Sequence, residues 1–188
     1  MRKFDWLSLF PVLFLLASAA FMASDAHGQA KGLSTMAFTL QSPDFPNGSE
    51  IPKQFTCSGE DRSPALAWKD APAGTKSFAL IADDPDAPGG TWVHWVIYNI
   101  PAAANSLPGG IQKKDKLADG TLQGPNDFEK PGYNGPCPPP GKPHRYFFKL
   151  YALDGALSLG PGASKAQLEK AIEGHTLGRT EWMGTFRR

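Results

Sequence analysis

The chain has no excess of charge of either sign: its 188 residues carry 19 Lys+Arg against 18 Asp+Glu, a net charge of +1. No broad basic field exists to hold nucleic acid by counterion release, and there is no acidic tail. Cysteine is scarce. Cys57 and Cys137 are the only two, and they form neither a C-x-x-C redox motif nor a zinc-ligand spacing. The G-x-S-x-G elbow, the Walker A loop, H-E-x-x-H and G-x-G-x-x-G are all missing, so the common hydrolase, nucleotide and zincin signals are absent. There is no internal repeat and no low-complexity linker.

Turn residues, by contrast, are abundant, with 20 Gly and 18 Pro. That much turn chemistry argues against a helix bundle and for strands joined by many loops. With 41% hydrophobic and 20% charged residues, the composition is that of a globular chain.

The N-terminus reads as a secretory signal peptide. Arg2 and Lys3 form a short positive segment, and Trp6 to Phe21 is almost wholly apolar. Ala26 and Gly28 suit a cut before Gln29, and Gly28 and Ala30 a second cut before Lys31. The alternative is an uncleaved anchor helix, but the apolar run is about 16 residues, short of the roughly 20 needed to span. The expected organisation is a signal peptide over 1–28, with the cut alternatively after Ala30, then one domain over 31–188. Export to a bacterial periplasm or medium follows, without stable membrane anchoring. In an oxidising compartment Cys57 and Cys137 become disulfide candidates. The long loop between them makes a bridge worth on the order of 4 kcal/mol in the chain-entropy model.

Strand-like runs are short. Met36–Leu40 alternates apolar and polar residues. Ser77–Ala82 (SFALIA) is continuously apolar, as in a strand buried on both faces. Val93–Ile100, Tyr146–Leu153 and Thr180–Phe186 are further candidates, the first two rich in aromatic and β-branched residues. The polar region Gly109–Lys130 reads as a long loop. One helix is well signalled: Ser164 with Gln167 makes a capping box, Leu168, Ala171 and Ile172 make an apolar stripe, and Gly174 can stop it.

Of the four histidines, His27 lies at the signal-peptide boundary and His175 at the end of the expected helix, where an imidazolium suits the dipole. His94 is in a strand. Strict alternation places Val93, Trp95 and Ile97 on one face, and His94, Val96 and Tyr98 on the other. His144 follows a stiff Pro-rich loop and shares a face with Tyr146, an arrangement that offers donors to an anion or a neutral acceptor. Asp84 and Asp86 sit in a Pro-Gly turn after the buried strand. Asp is a common turn former, but Asp84 can also hold a histidine in one tautomer. Two His and two Asp can also make a metal site, though no motif spacing supports one.

Taken together, Asp84-Pro-Asp-Ala-Pro88, Trp92–Pro101, Gly132–Gly141 (GYNGPCPPPG) and His144-Arg-Tyr146 resemble the phosphatidylethanolamine-binding protein family. The bacterial branch, often described as Raf-kinase-inhibitor-like, looks most similar. The resemblance runs from about Phe38 to Phe186 and takes in Phe55–Gly59, Ser63-Pro64 with Leu66 and Trp68, and Gly124–Asp127. It implies a mainly β fold, with a large antiparallel sheet packed on a smaller one and few peripheral helices. It also implies a pocket for small anions such as phosphate or a phosphorylethanolamine head group. Carried over residue by residue, that pocket comprises Asp84, Asp86, His94, His144 and Tyr146, with a wall around Gly135, Pro136 and Pro138. Asp84 is expected to orient His94 or to meet the ammonium end of the head group. Eukaryotic members carry a further C-terminal helix at the pocket mouth; here the chain ends soon after TEWMGTF, which implies a more open mouth.

The function expected is an exported, non-enzymatic binding protein for a small phosphorylated or carboxylated ligand, with no cofactor and no metal. The alternatives are a protein-interaction inhibitor of a protease or kinase-like partner, and a hydrolase using Asp84, His94 and His144. Oligomeric state is left open.

Overall fold

The computed structural model describes residues 37–188. The expected signal peptide, both cleavage positions, His27 and the first residue of the strand expected at Met36–Leu40 lie outside the described residues.

Nine elements of regular structure follow: β1 (Thr39–Gln41), β2 (Leu66–Lys69), β3 (Ser77–Asp84), β4 (Trp92–Pro101), β5 (Ser106–Leu107), β6 (Leu122–Gly124), β7 (His144–Leu153), α1 (Lys165–Ile172) and β8 (Thr176–Phe186), with a 3-10 turn at Lys53–Phe55. The large sheet has the order β6-β4-β3-β7-β8 and the small one β1-β2-β5. Every pairing between these strands is antiparallel, as the Gly- and Pro-rich turns suggest.

β3 is central in the large sheet, and all eight of its residues are buried. Its even-numbered residues Phe78, Leu80 and Ala82 join Phe148 and Leu150 of β7 and Leu66 and Trp68 of β2 in a core between the sheets. Its odd-numbered residues Ala79 and Ile81 join a second core with Leu168 and Ile172 of α1. The predicted reading of SFALIA as a strand covered on both sides therefore holds. α1 is fixed by the predicted capping box, with the Gln167 amide donating to Ser164 Oγ and the Ser164 amide to Gln167 Oε1. Gly174 ends it at φ +78°, in the left-handed region that favours glycine.

Two expectations need correction. Gly109–Lys130 is not simply a loop, because β6 lies within it and pairs with β4. β6 gives little sequence signal: it is three residues long and contains a Gly and a Gln. Its buried Gln123 is satisfied by hydrogen bonds, accepting from Trp95 Nε1 at 2.7 Å and donating to the carbonyls of Gln112 and Lys114, so a polar side chain tolerates burial there. The strict alternation along Val93–Tyr98 also fails. Ala82 pairs with Trp95 but its neighbour Asp83 pairs with Val93, which leaves His94 as an extra residue in β4. This β-bulge resets the pleat. Val93 sits with Val96 and Tyr98 in the core under α1, Trp95 and Ile97 sit between the sheets, and His94 packs against Tyr146, which lies on the inter-sheet side.

Cys57 and Cys137 are joined by a disulfide, with Cα atoms 5.4 Å apart across 80 residues of sequence. Replacing both by serine is expected to lower the unfolding free energy by about 2–4 kcal/mol, read as a lower midpoint in urea at unchanged slope. A midpoint equal to that of the oxidised protein would show that the bridge adds no stability.

Candidate functional site

The bulge brings His94 to the end of the large sheet where β3 finishes and β4 and β7 begin. Asp84 closes β3, and His144 and Tyr146 open β7 on the same side. These four side chains line a cavity of about 190 Å³. Pro88, Trp92, Phe128, Pro138 and Pro139 contribute an apolar rim, and Cys137 carries the disulfide into its wall.

Each polar group is held by a definite partner. His144 donates from Nδ1 to Asp84 Oδ2 at 2.8 Å, while Asp84 Oδ1 accepts the backbone N–H of Asp86 at 2.8 Å. Of the two roles expected for Asp84, orienting His94 or meeting an ammonium group, the first is corrected: the histidine it orients is His144. His94 donates from Nδ1 to the carbonyl of Asn134 at 2.7 Å. A carbonyl can only accept, so this bond fixes the tautomer of the neutral ring. The His94 side chain is buried, and burial pushes its pKa below the ordinary histidine value against the opposing pull of the Asn134 carbonyl and of the Asp84, Asp127 and Asp83 charges. Its ring stands edge-on to Phe128 and to Tyr146, with centroids 5.4 and 5.2 Å away.

The Tyr146 hydroxyl is buried and has no hydrogen-bond partner among the described residues. Burial, and then the negative charge of Asp84, raise its pKa, so the phenol keeps its proton. A buried hydroxyl costs free energy unless something bonds to it; Tyr146 is a lining residue of the cavity, and its hydroxyl lies close enough to Asp84 for that carboxylate to weigh on it.

Of the remaining expected site residues, Pro138 lines the cavity, whereas Asp86, Gly135 and Pro136 do not. Asp86 faces outward. It accepts from Arg145 Nε at 2.9 Å, from an Arg145 guanidinium NH₂ at 2.7 Å and from the Arg145 amide at 3.0 Å, and the guanidinium pulls its carboxyl down to about 2. This fork clamps the turn after β3 to the start of β7. Gly135 and Pro136 lie one layer behind the wall. A Cβ on Gly135 would sit 2.2 Å from the Phe55 carbonyl oxygen, so only glycine allows the two segments to approach this closely. The Pro136 carbonyl accepts the Cys57 amide at 3.1 Å.

Asp61 was not singled out from the sequence. It has φ +56°, and its carboxylate accepts from the Gly135 amide at 2.6 Å, from Asn134 Nδ2 at 2.8 Å and from Lys113 Nζ at 2.7 Å. It thereby pins the segment whose carbonyl holds His94. The only signal for it is its place between Phe55–Gly59 and Ser63-Pro64, two of the segments that carried the resemblance. Among the described residues no group of three or more His, Cys, Asp or Glu is arranged to hold a metal ion.

Comparison with known proteins identifies the family and agrees with the two-sheet fold. The family model for phosphatidylethanolamine-binding protein matches residues 41–187. The UPF0098 protein of Methanothermobacter thermautotrophicus is 50% identical over 149 residues, covering 79% of this chain and 98% of its own, and that of Aquifex aeolicus is 49% identical over 146 residues, covering 77% and 85%. Among solved structures, Escherichia coli YbcL, described as a member of the mammalian family, superposes with a TM-score of 0.75 at 34% identity, covering 80% of this chain and 98% of its own. The family homologue CT736 from Chlamydia trachomatis gives 0.74 at 39% identity, covering 81% and 98%. With matching motifs, two-sheet architecture and relatives spanning nearly their whole length, the chain belongs to the phosphatidylethanolamine-binding protein family.

Proposed function

We propose that this is an exported, non-enzymatic binding protein whose cavity takes a small anionic head group of the phosphate or phosphorylethanolamine type. The observation that carries this reading is the buried, unpartnered Tyr146 hydroxyl set beside two histidines whose Nδ1 atoms are already engaged. A phosphate oxygen reaching Tyr146 would satisfy that donor. The apolar rim suits the carbon skeleton that joins a phosphate to the rest of a ligand. The Cys57–Cys137 disulfide favours folding in an oxidising compartment, in keeping with the signal-peptide pattern of residues 1–28.

Isothermal titration with phosphorylethanolamine is expected to give millimolar or tighter binding. Tyr146→Phe removes one donor and is expected to weaken binding about tenfold; His144→Ala, which also strips Asp84 of its partner, should weaken it further. No heat of binding to the wild-type protein at any ligand concentration would overturn the reading. For export, mass spectrometry of protein recovered outside the cytoplasm is expected to find an N-terminus at Gln29 or Lys31. A chain that stays cytoplasmic and keeps residues 1–28 would count against it.

A further inference from the structure

The disulfide lies in the wall of the cavity and not in the core. Cys137 lines the cavity and is half-buried, whereas its partner Cys57 is exposed. The bridge also falls at a boundary in how the wall is held. Upstream of Cys137 the chain is fastened by hydrogen bonds that need no sulfur. The Tyr133 hydroxyl donates to the Phe55 carbonyl at 2.8 Å, the Gly135 amide to Asp61 at 2.6 Å, and the Cys57 amide to the Pro136 carbonyl at 3.1 Å. Downstream, from Cys137 to Pro143, no backbone amide or carbonyl is hydrogen-bonded to another described residue. Four of those seven residues are proline and have no amide to donate.

This unbonded stretch carries Pro138 and Pro139 of the wall. Proline-dense backbone is stiff, so the stretch keeps its shape but depends on its attachments for its place. With the sulfurs joined, it is pinned where it meets the cavity. With them separated, only its packing and its two ends, at Pro136 and at the start of β7, hold it. The requirements for opening the bridge are also met. Exchange needs an accessible sulfur to attack and a second sulfur that leaves readily as a thiolate. Cys57 is the exposed member, and the Arg188 guanidinium stands 3.7 Å from Cys137 Sγ, a cation that favours a thiolate there.

We propose that the Cys57–Cys137 bridge is a latch on the cavity wall, opened by a dithiol reductant, so that oxidised protein holds its ligand tightly and reduced protein holds it weakly. For the ligand, the proposal rests on the head-group reading above. In the exchange, one thiolate of the reductant bonds to Cys57 Sγ while the Cys57–Cys137 bond breaks, and Cys137 leaves as a thiolate beside Arg188. The reductant's second thiol then displaces Cys57. Two electrons have passed to the protein, whose cysteines are both reduced, and the reductant carries the disulfide. The His94 side of the cavity stays in place, because the Asn134 carbonyl that His94 meets belongs to the hydrogen-bonded part of the segment.

The full-length or processed protein, oxidised or reduced anaerobically with dithiothreitol, is titrated with phosphorylethanolamine and followed by its histidine ring NMR signals. Reduction is expected to weaken binding about tenfold, because a loosened wall must be ordered again. Cys57→Ser/Cys137→Ser should bind as weakly as the reduced protein, and reoxidation of the wild type should restore the affinity. Amide relaxation gives a reading that needs no ligand. The order parameters of Gly141 and Lys142 should fall from about 0.85 to below about 0.6 on reduction, with Gly135 and the β3 amides unchanged. Unchanged order parameters at Gly141 and Lys142 would overturn the latch. So would a reduced protein that binds as tightly as the oxidised one, or one whose near-UV circular dichroism shows the whole fold lost, since the bridge would then be a staple of the fold. Failure of both forms to bind phosphorylethanolamine would overturn the head-group reading, and the order parameters alone would then decide the latch.

Discussion

The residue inserted into β4 at His94 decides where the chemistry sits. Without that bulge, a period of two would turn the imidazole toward the core under α1, beside Val96 and Tyr98, where a polar ring would have to find a partner among aliphatic side chains. With it, His94 stands between Tyr146 and Phe128 and reaches the carbonyl of Asn134. That carbonyl is held from behind by Asp61 and by the close passage of Gly135 over Phe55. A local irregularity in one strand thus depends on a second layer of loops, and the cavity exists only where the two meet.

Adjacent carboxylates on β3 show how the fold separates structural from functional charge. Asp83 and Asp84 are both buried and point to opposite faces of the sheet. Asp83 is met by Lys149 at 2.6 Å and Lys165 at 3.0 Å. These are permanent cations that tie α1 to β7 through a carboxylate that would be costly to bury alone. Asp84 is met by an imidazole instead, a partner whose charge follows its protonation. Arg145, between the two cavity-facing residues of β7, is turned outward and engaged by Asp86, so the strongest cation nearby does not set the potential of the cavity.

Much of this was legible in the sequence. Continuous or aromatic-rich runs marked β3, β4 and β7, and the Ser164–Gln167 box marked α1, because long strands and capped helices carry their signal locally. β6, β5 and β2 escaped because each is four residues or fewer and is stabilised by what it pairs with. The site was legible as a set of residues but not as a set of bonds. The sequence put Asp84, His94, His144 and Tyr146 together through the family resemblance, yet of the two partners offered for Asp84, His94 or the ammonium end of a head group, the first gives way to His144. Pairing across a cavity depends on the bulge and on the Asn134 carbonyl, and a backbone carbonyl leaves no trace in side-chain spelling. Asp86, Gly135 and Pro136 belong to the same motifs but support the wall from outside it, since motif membership records proximity in the chain and not which atoms face the cavity.

A carboxylate–imidazole pair with a free Nε2 is also what a general base requires, so the case for binding over hydrolysis turns on what stands beside the pair. The cavity is lined by no serine or threonine, and its one sulfur, on Cys137, is tied to Cys57 and is not available as a thiolate. A hydrolase using a water molecule would have to place it beside His144 together with the substrate in a cavity of about 190 Å³. The rim is stiffened by Pro138, Pro139 and the disulfide, so the walls have little conformational freedom to lose when a ligand enters. In the binding reading proposed above, those pre-formed walls are what would let a head group be held at low entropic cost.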